Sequence, residues 1–144
     1  MGYDIKQILV IRKDLNMRKG KIGAMCDHAS MAFITRQVGF IESIAKDLSY
    51  TVHKSKDNNH YLINLSDIQL DWINNSFAKI VVYVNSEQEL LDLIAKGKEA
   101  GIVVHKVVDS GATEFHGVPT LTCAAFGPDK SENLDKITGK LSLL

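Results

Sequence analysis

Two segments carry the side chains from which chemistry could be built, and each follows the carboxyl end of a predicted strand. The first is residues 14–28 (DLNMRKGKIGAMCDH). Between positions 12 and 21 it gathers five of the 17 basic residues, Arg12, Lys13, Arg18, Lys19 and Lys21, against the single acid Asp14. Gly20 lends backbone freedom where a helix begins, and the free N–H groups and positive dipole end found there favour an anion, most naturally a phosphate. The plainer reading leaves these as solvated loop side chains. A Walker loop is excluded, because Gly20-Lys21 is followed by Ile22 and Leu15 stands where the earlier glycine belongs. Lys21 and His28, seven residues apart, return to nearly one helical face with Met25 between them, so a cation and an imidazole line one wall. His28 alone also reads as an ordinary helix histidine bonded to a neighbour.

The second segment is residues 109–114 (DSGATE). An aspartate leaves an apolar strand, Gly111 permits an unusual turn, and the Thr113 hydroxyl follows. A carboxylate so placed can orient or activate water, and a hydroxyl can donate to developing negative charge. Asp109 and Thr113 could equally only organise the turn. DSGAT also resembles the signature of retroviral-type aspartic proteases, in which two aspartates share a proton. That family is nearly all β, whereas this chain predicts two substantial helices. His53, His60, His105 and His116 show no zinc spacing, and no catalytic metal is expected.

The elements that must position these segments are legible in the periodicity. Residues 5–12 and 78–84 are short, apolar and β-branched. Ser86 with Glu89 forms a capping box opening a helix with Leu90, Leu91 and Ile94 on one face and Gly101 at its end. A strand over 102–108 then completes a β-α-β unit with parallel strands and a right-handed crossover. Residues 21 to about 36 predict a helix through Ile22, Met25, Ala29 and Ala32 or Phe33. Pro119 and Gly127-Pro128 bracket a fourth strand over 121–126, and residues 131–141 a last helix with Leu134 and Ile137 inward. Between 39 and 77, strands over 50–54 and 61–65 could pair across a polar turn at 56–59, and Ser66 with Gln69 could start a helix carrying Ile68 and Trp72. The sum is an α/β sandwich. Ligand sites in such sheets lie beyond the carboxyl ends of strands, so both segments should converge if the strands that carry them run parallel.

The chain has 144 residues and balances 17 Lys plus Arg against 17 Asp plus Glu, with 45% hydrophobic residues. That is the composition of one ordinary globular domain over residues 1–144. A bilayer span needs roughly 20 consecutive apolar residues, and no run approaches this. The first ten residues lack the apolar stretch of a signal peptide, so the expected location is cytoplasmic. Cys26 and Cys123 read as buried thiols.

Three stretches, ILVIRKDLNMRKGKIGAMCDHA, AKIVVYVNSEQELLDLIAKGKEAGIVVHKVVDSGATE and FGPDKSENLDKITGKLSLL, together resemble the archaeal and eukaryotic (type 2) peptidyl-tRNA hydrolase family. Residues of about 39–77 diverge from it. The resemblance implies a three-layer α/β/α sandwich around a four-stranded mixed sheet, a homodimer, no cofactor, and hydrolysis of the ester between a peptide and tRNA. The family's glycine-lysine motif corresponds to Gly20 and Lys21, its preceding lysine to Lys19, and its helix histidine to His28. Asp109, Gly111 and Thr113 match its D-A-G-x-T motif. Three positions depart: Asn16 for lysine, Ala112 for arginine, and Met25 for a glutamine proposed in the family's active site. The implied roles are Asp109 activating or orienting water, Lys21 and Thr113 stabilising the oxyanion or leaving ribose, with His28 in the same catalytic set, and Arg18 and Lys19 holding tRNA phosphates, with Gly20, Met25 and Gly111 beside them on the substrate surface. Met25 keeps open an alternative, a catalytically weakened tRNA- or partner-binding module.

Overall fold

The computed structural model describes residues 2–39, 53–54 and 61–144. Strand β1 (Ile5–Arg12) alternates its side chains between two apolar clusters, and this alternation builds the layers. Ile8 and Val10 join Val82, Val84, Leu90, Ile94, Phe126 and Leu134 on one face, while Leu9 and Ile11 join Met25, Ala29, Val107, Cys123 and Ala125 on the other. The first face is covered by α3 (Glu87–Glu99) and α4 (Ser131–Thr138), and the second by α1 (Lys19–Gly39). Helix α2 (Asp67–Asn74) lies beside α1, with the Trp72 ring edge-on to Phe33 at 6.1 Å. Among the described residues no helix is long and apolar enough to cross a membrane.

Strands β4 (Lys79–Val84), β5 (Val104–Asp109) and β6 (Thr120–Lys130) complete the sheet in the order β4-β1-β6-β5. Strand β1 is parallel to β4, and both β1 and β5 are antiparallel to β6 between them, so β1 and β5 point the same way. The mixed α/β sandwich expected from the sequence is therefore present, and the carboxyl ends of β1 and β5 share one edge. The two strands of the β-α-β unit do run in one direction, although at opposite edges of the sheet.

Several elements differ from the sequence reading for identifiable reasons. Strand β6 runs through Gly127-Pro128, the expected terminator, to Lys130, because an extra residue between the pairs Lys6–Asp129 and Ile8–Phe126 makes a bulge that accommodates the proline. Gly127 takes φ 87°, and a Cβ there would lie 2.7 Å from the Asp129 nitrogen. On α3, Leu90, Ile94 and Gly97 face inward at helical spacing, leaving Leu91 on the exposed side. Ser86 accepts from the Glu89 N–H as expected, but the Glu89 carboxylate accepts from Asn85 N–H rather than from Ser86.

The capping box of Ser66 and Gln69 forms and starts α2, which buries Trp72. Of the expected hairpin, two residues of each strand pair antiparallel, β2 (His53–Lys54) with β3 (Tyr61–Leu62). Residues 50–52 and the turn at 56–59 lie outside the described residues. Residues 63–65 are not in a strand.

Candidate active site

The loop leaving β1 is organised by Arg12. Its buried guanidinium donates to both oxygens of Asp14, at 2.6 and 3.2 Å, to the Leu121 carbonyl at 3.1 Å and to Glu87 at 3.3 Å. These bonds pin a single helical turn over Lys13–Leu15, after which Asn16 takes a left-handed conformation with φ 50° and Met17 inserts into the core. The chain then enters α1, where Ile22 N–H closes the first bond on the Arg18 carbonyl. That geometry brings Lys21 to the carboxyl end of β5.

The loop leaving β5 is organised by Gly111. Its φ is 82°, and a Cβ would sit 2.4 Å from the Val118 carbonyl oxygen, so the backbone accepts only glycine here. Gly111 N–H donates to Asp109 Oδ2 at 2.9 Å, and its carbonyl accepts from Gly117 N–H. The turn-organising reading of Asp109 is thus correct for one of its two oxygens.

The other oxygen meets α1. Lys21 Nζ donates to Asp109 Oδ1 at 2.8 Å and to Thr113 Oγ1 at 2.9 Å. Both charged side chains are largely withdrawn from water, 13% exposed for Lys21 and 11% for Asp109. The hydrogen bond from the Lys21 ammonium holds the Asp109 carboxyl below its ordinary range; burial opposes this, while Gly111 N–H and the charges of Lys21 and His28 reinforce it.

Hydrogen-bond capacity shows what the cluster can do. An ammonium has three donors, and two are engaged, leaving one for a substrate oxygen. The Thr113 oxygen accepts from Lys21, leaving its own proton to donate. The Asp109 carboxylate retains unused lone pairs for a water. A donor pair and an acceptor on one small surface suit attack of water on a carbonyl whose oxygen becomes negative.

The remaining sequence-derived residues are placed differently. Arg18, 80% exposed, pairs through Nε with Glu114 at 2.8 Å, joining the two loops across the site. Lys19 is exposed beside it and has no ion-pair partner among the described residues. Gly20 lies in the first turn of α1 without positive φ, so its expected conformational freedom is not used, although nothing lies within 4 Å of where its Cβ would be. His28 is exposed and influences Asp109 only through space.

Met25 corrects an expectation. Its side chain is 2% exposed and packs with Leu9, Ile11 and Cys123, while its carbonyl accepts from the Cys123 thiol at 3.3 Å, so it lines the core rather than a substrate surface. The local basic excess is also smaller than the sequence implies. Arg12, Arg18 and Lys21 are each paired with a carboxylate, and Lys13 lies 4.2 Å over the Tyr83 ring. Glu114 and the organising role of Arg12 were missed. Opposite charges in the two converging segments were the available signal. The aspartic-protease reading fails on the mixed fold and on the partner of Asp109, which is an ammonium where a second carboxylate is required.

The sequence is similar to known proteins along nearly its whole length. The family model described as peptidyl-tRNA hydrolase PTH2 matches residues 5–144. A peptidyl-tRNA hydrolase of Methanothermobacter thermautotrophicus is 36% identical over 97% of this chain and 100% of its own length. That of Methanocaldococcus jannaschii is 34% identical over the same shares. A probable peptidyl-tRNA hydrolase 2 of Dictyostelium discoideum is 37% identical, and there the match spans 97% of this chain but only 55% of the relative. With nearly every residue matched by the family model, the chain belongs to the peptidyl-tRNA hydrolase PTH2 family.

Proposed function

We propose that this chain hydrolyses the ester joining a peptide, or an N-blocked amino acid, to the terminal ribose of tRNA. The reading rests on the contact of Lys21 with Asp109 and Thr113 at the shared carboxyl edge of β1 and β5. The family supplies the substrate class. Water adds its oxygen to the ester carbonyl carbon, and the carbonyl oxygen takes up negative charge. The bond to the ribose oxygen then breaks, and that oxygen leaves with a proton. The products are a peptide acid and tRNA with a free hydroxyl.

In this reading the unused Lys21 N–H and the Thr113 hydroxyl stabilise the oxyanion. Asp109 accepts a hydrogen bond from the attacking water and holds Lys21 in place. A carboxylate kept below its ordinary range is a weak base, so orientation is its main contribution. Arg18 uses one donor on Glu114 and keeps the rest of its guanidinium for phosphate, alongside Lys19 and the free N–H groups opening α1. His28, exposed on α1, acts on the carboxylate only through space. The same reading assigns the protein to the cytoplasm, where tRNA is recycled, and to a homodimer, as the family resemblance implies; sedimentation tests the latter.

The deciding experiment is release of tRNA from N-acetyl-aminoacyl-tRNA beside the free-amino form. Hydrolysis confined to the blocked substrate is the expected result. Equal hydrolysis of both, or of neither, overturns the proposal.

A further inference from the structure

A cavity of about 290 Å3 opens between α1 and β5, lined by His28, Met31 and Thr35 on the helix and by Val107 and Val108 on the strand. Its position follows from the antiparallel packing of the two elements. Lys21 meets Asp109 at one end, and Arg36 meets the Lys106 carbonyl and His105 Nδ1 at the other. The cavity therefore begins one residue from Asp109. From His28 to Arg36 it follows about 12 Å of helix, the length of three to four extended residues.

Its walls suit a peptide better than nucleic acid. Met31 and Val108 are large apolar side chains more than half exposed, at 55% and 53%. Asp27 and Arg36, the charges at this cavity, oppose each other, and Arg36 is already hydrogen-bonded. Among the described residues that line it, there is no cationic excess comparable to Arg18 and Lys19. Among the described residues, strand β5 is also an edge of the sheet. The Lys106 carbonyl faces away from β6, as its bond to Arg36 shows, and by the two-residue alternation of a strand so do the backbone groups of Val108.

We infer that this groove holds the peptide portion of peptidyl-tRNA in extended form, with the free edge of β5 reading its backbone and Met31 and Val108 covering its side chains. The inference rests on the ester-hydrolase reading and adds the acyl subsite to it. Peptides of any sequence share only their backbone, and strand addition is the mode that recognises it. Arg36 closes the far end, so residues beyond the fourth pass into solvent.

The test is kcat/KM for N-acetylated peptidyl-tRNAs carrying one to six residues. A rise of about tenfold between one and four residues is expected, as from two backbone hydrogen bonds, followed by a plateau. In Met31→Asp the four-to-one ratio falls towards one. A ratio near one in the unmodified protein overturns the inference while leaving ester hydrolysis intact, and so does a ratio unchanged by the substitution, since general damage to folding slows both substrates alike. If Met31→Asp alters sedimentation but keeps the length ratio, a second copy covers this face and the inference also fails. If no blocked tRNA is hydrolysed, the activity reading itself fails. The groove is then judged by binding of non-hydrolysable adenosine 3′-amides: a four-residue acyl group must bind more tightly than a one-residue group, and equal binding overturns it.

Discussion

Replacing Lys21 by Met removes the ammonium while keeping an unbranched apolar stem, and it tests both functions assigned to this lysine. Loss of one preorganised donor to an oxyanion lowers kcat by about 10²–10³, or about 3–4 kcal/mol in the barrier. Stability changes as well, because Asp109 is 11% exposed and loses the cation that compensates its burial. Breaking a buried pair costs about 3–5 kcal/mol. The retained Gly111 N–H bond and slight exposure place this case near the lower end, about 3 kcal/mol. The pH dependence separates an ion pair from mere packing. In the unmodified protein the folded-state pKa of Asp109 lies below its ordinary 3.8, so the pair stabilises above that pH and its contribution is lost as pH falls through the folded value. In Lys21→Met the largest lowering influence is gone while burial remains, so the carboxyl titrates higher and protonation relieves the unpaired charge. The stability deficit measured by urea unfolding should therefore be largest at pH 7 and shrink towards pH 3. Adding Asp109→Asn should recover part of the deficit, since no charge is then left unpaired. Retention of kcat within about threefold refutes the oxyanion role, and a deficit equal at pH 3 and pH 7 refutes the ion-pair account.

Two further outcomes follow from the site. Gly111→Ala forces a Cβ to within 2.4 Å of a backbone oxygen at φ 82°, so a loss of at least about 2 kcal/mol is expected in thermal unfolding, together with a fall in kcat/KM as Asp109 loses its backbone donor. Unchanged melting would sink that argument. Lys19→Ala should raise KM and reduce the slope of log KM against log salt by about 0.7–0.9, the value of one phosphate contact, with the loss appearing in KM rather than kcat; a salt slope equal to that of the unmodified protein counts against the phosphate role.

The elements were legible where a local rule was sufficient. The short apolar, β-branched run over residues 5–12, the Ser66 box and the Gly101 stop each depend on neighbours in the chain, and each appears in the structure. Local rules failed where tertiary pairing overrode them. Proline ended β6 in the sequence reading, yet pairing with β1 resumes at Asp129 and Lys130 and carries the strand past it. Leu91 looked inward by hydrophobicity alone, but Gly97 lets α3 approach Val104 and Phe126 so closely that the buried stripe runs through Leu90, Ile94 and Gly97.

Residue type and strand-end position single out Lys21, Asp109, Gly111 and Thr113 in the sequence, because a carboxylate, a cation and a hydroxyl at strand ends are recognisable by their chemistry, and the fold brings them into contact. Their partners were decided only by the fold. Lys21 and Asp109 are 88 positions apart, and charge counting along the chain could not show that the basic cluster is largely neutralised by Asp14, Glu114 and Asp109. Nor could it show that Met25 turns into the core while His28, less than one further turn along α1, stays in water. Side-chain identity is written into the chain one residue at a time, whereas burial, pairing and pKa arise from contacts between distant segments and exist only once the sheet has brought them together.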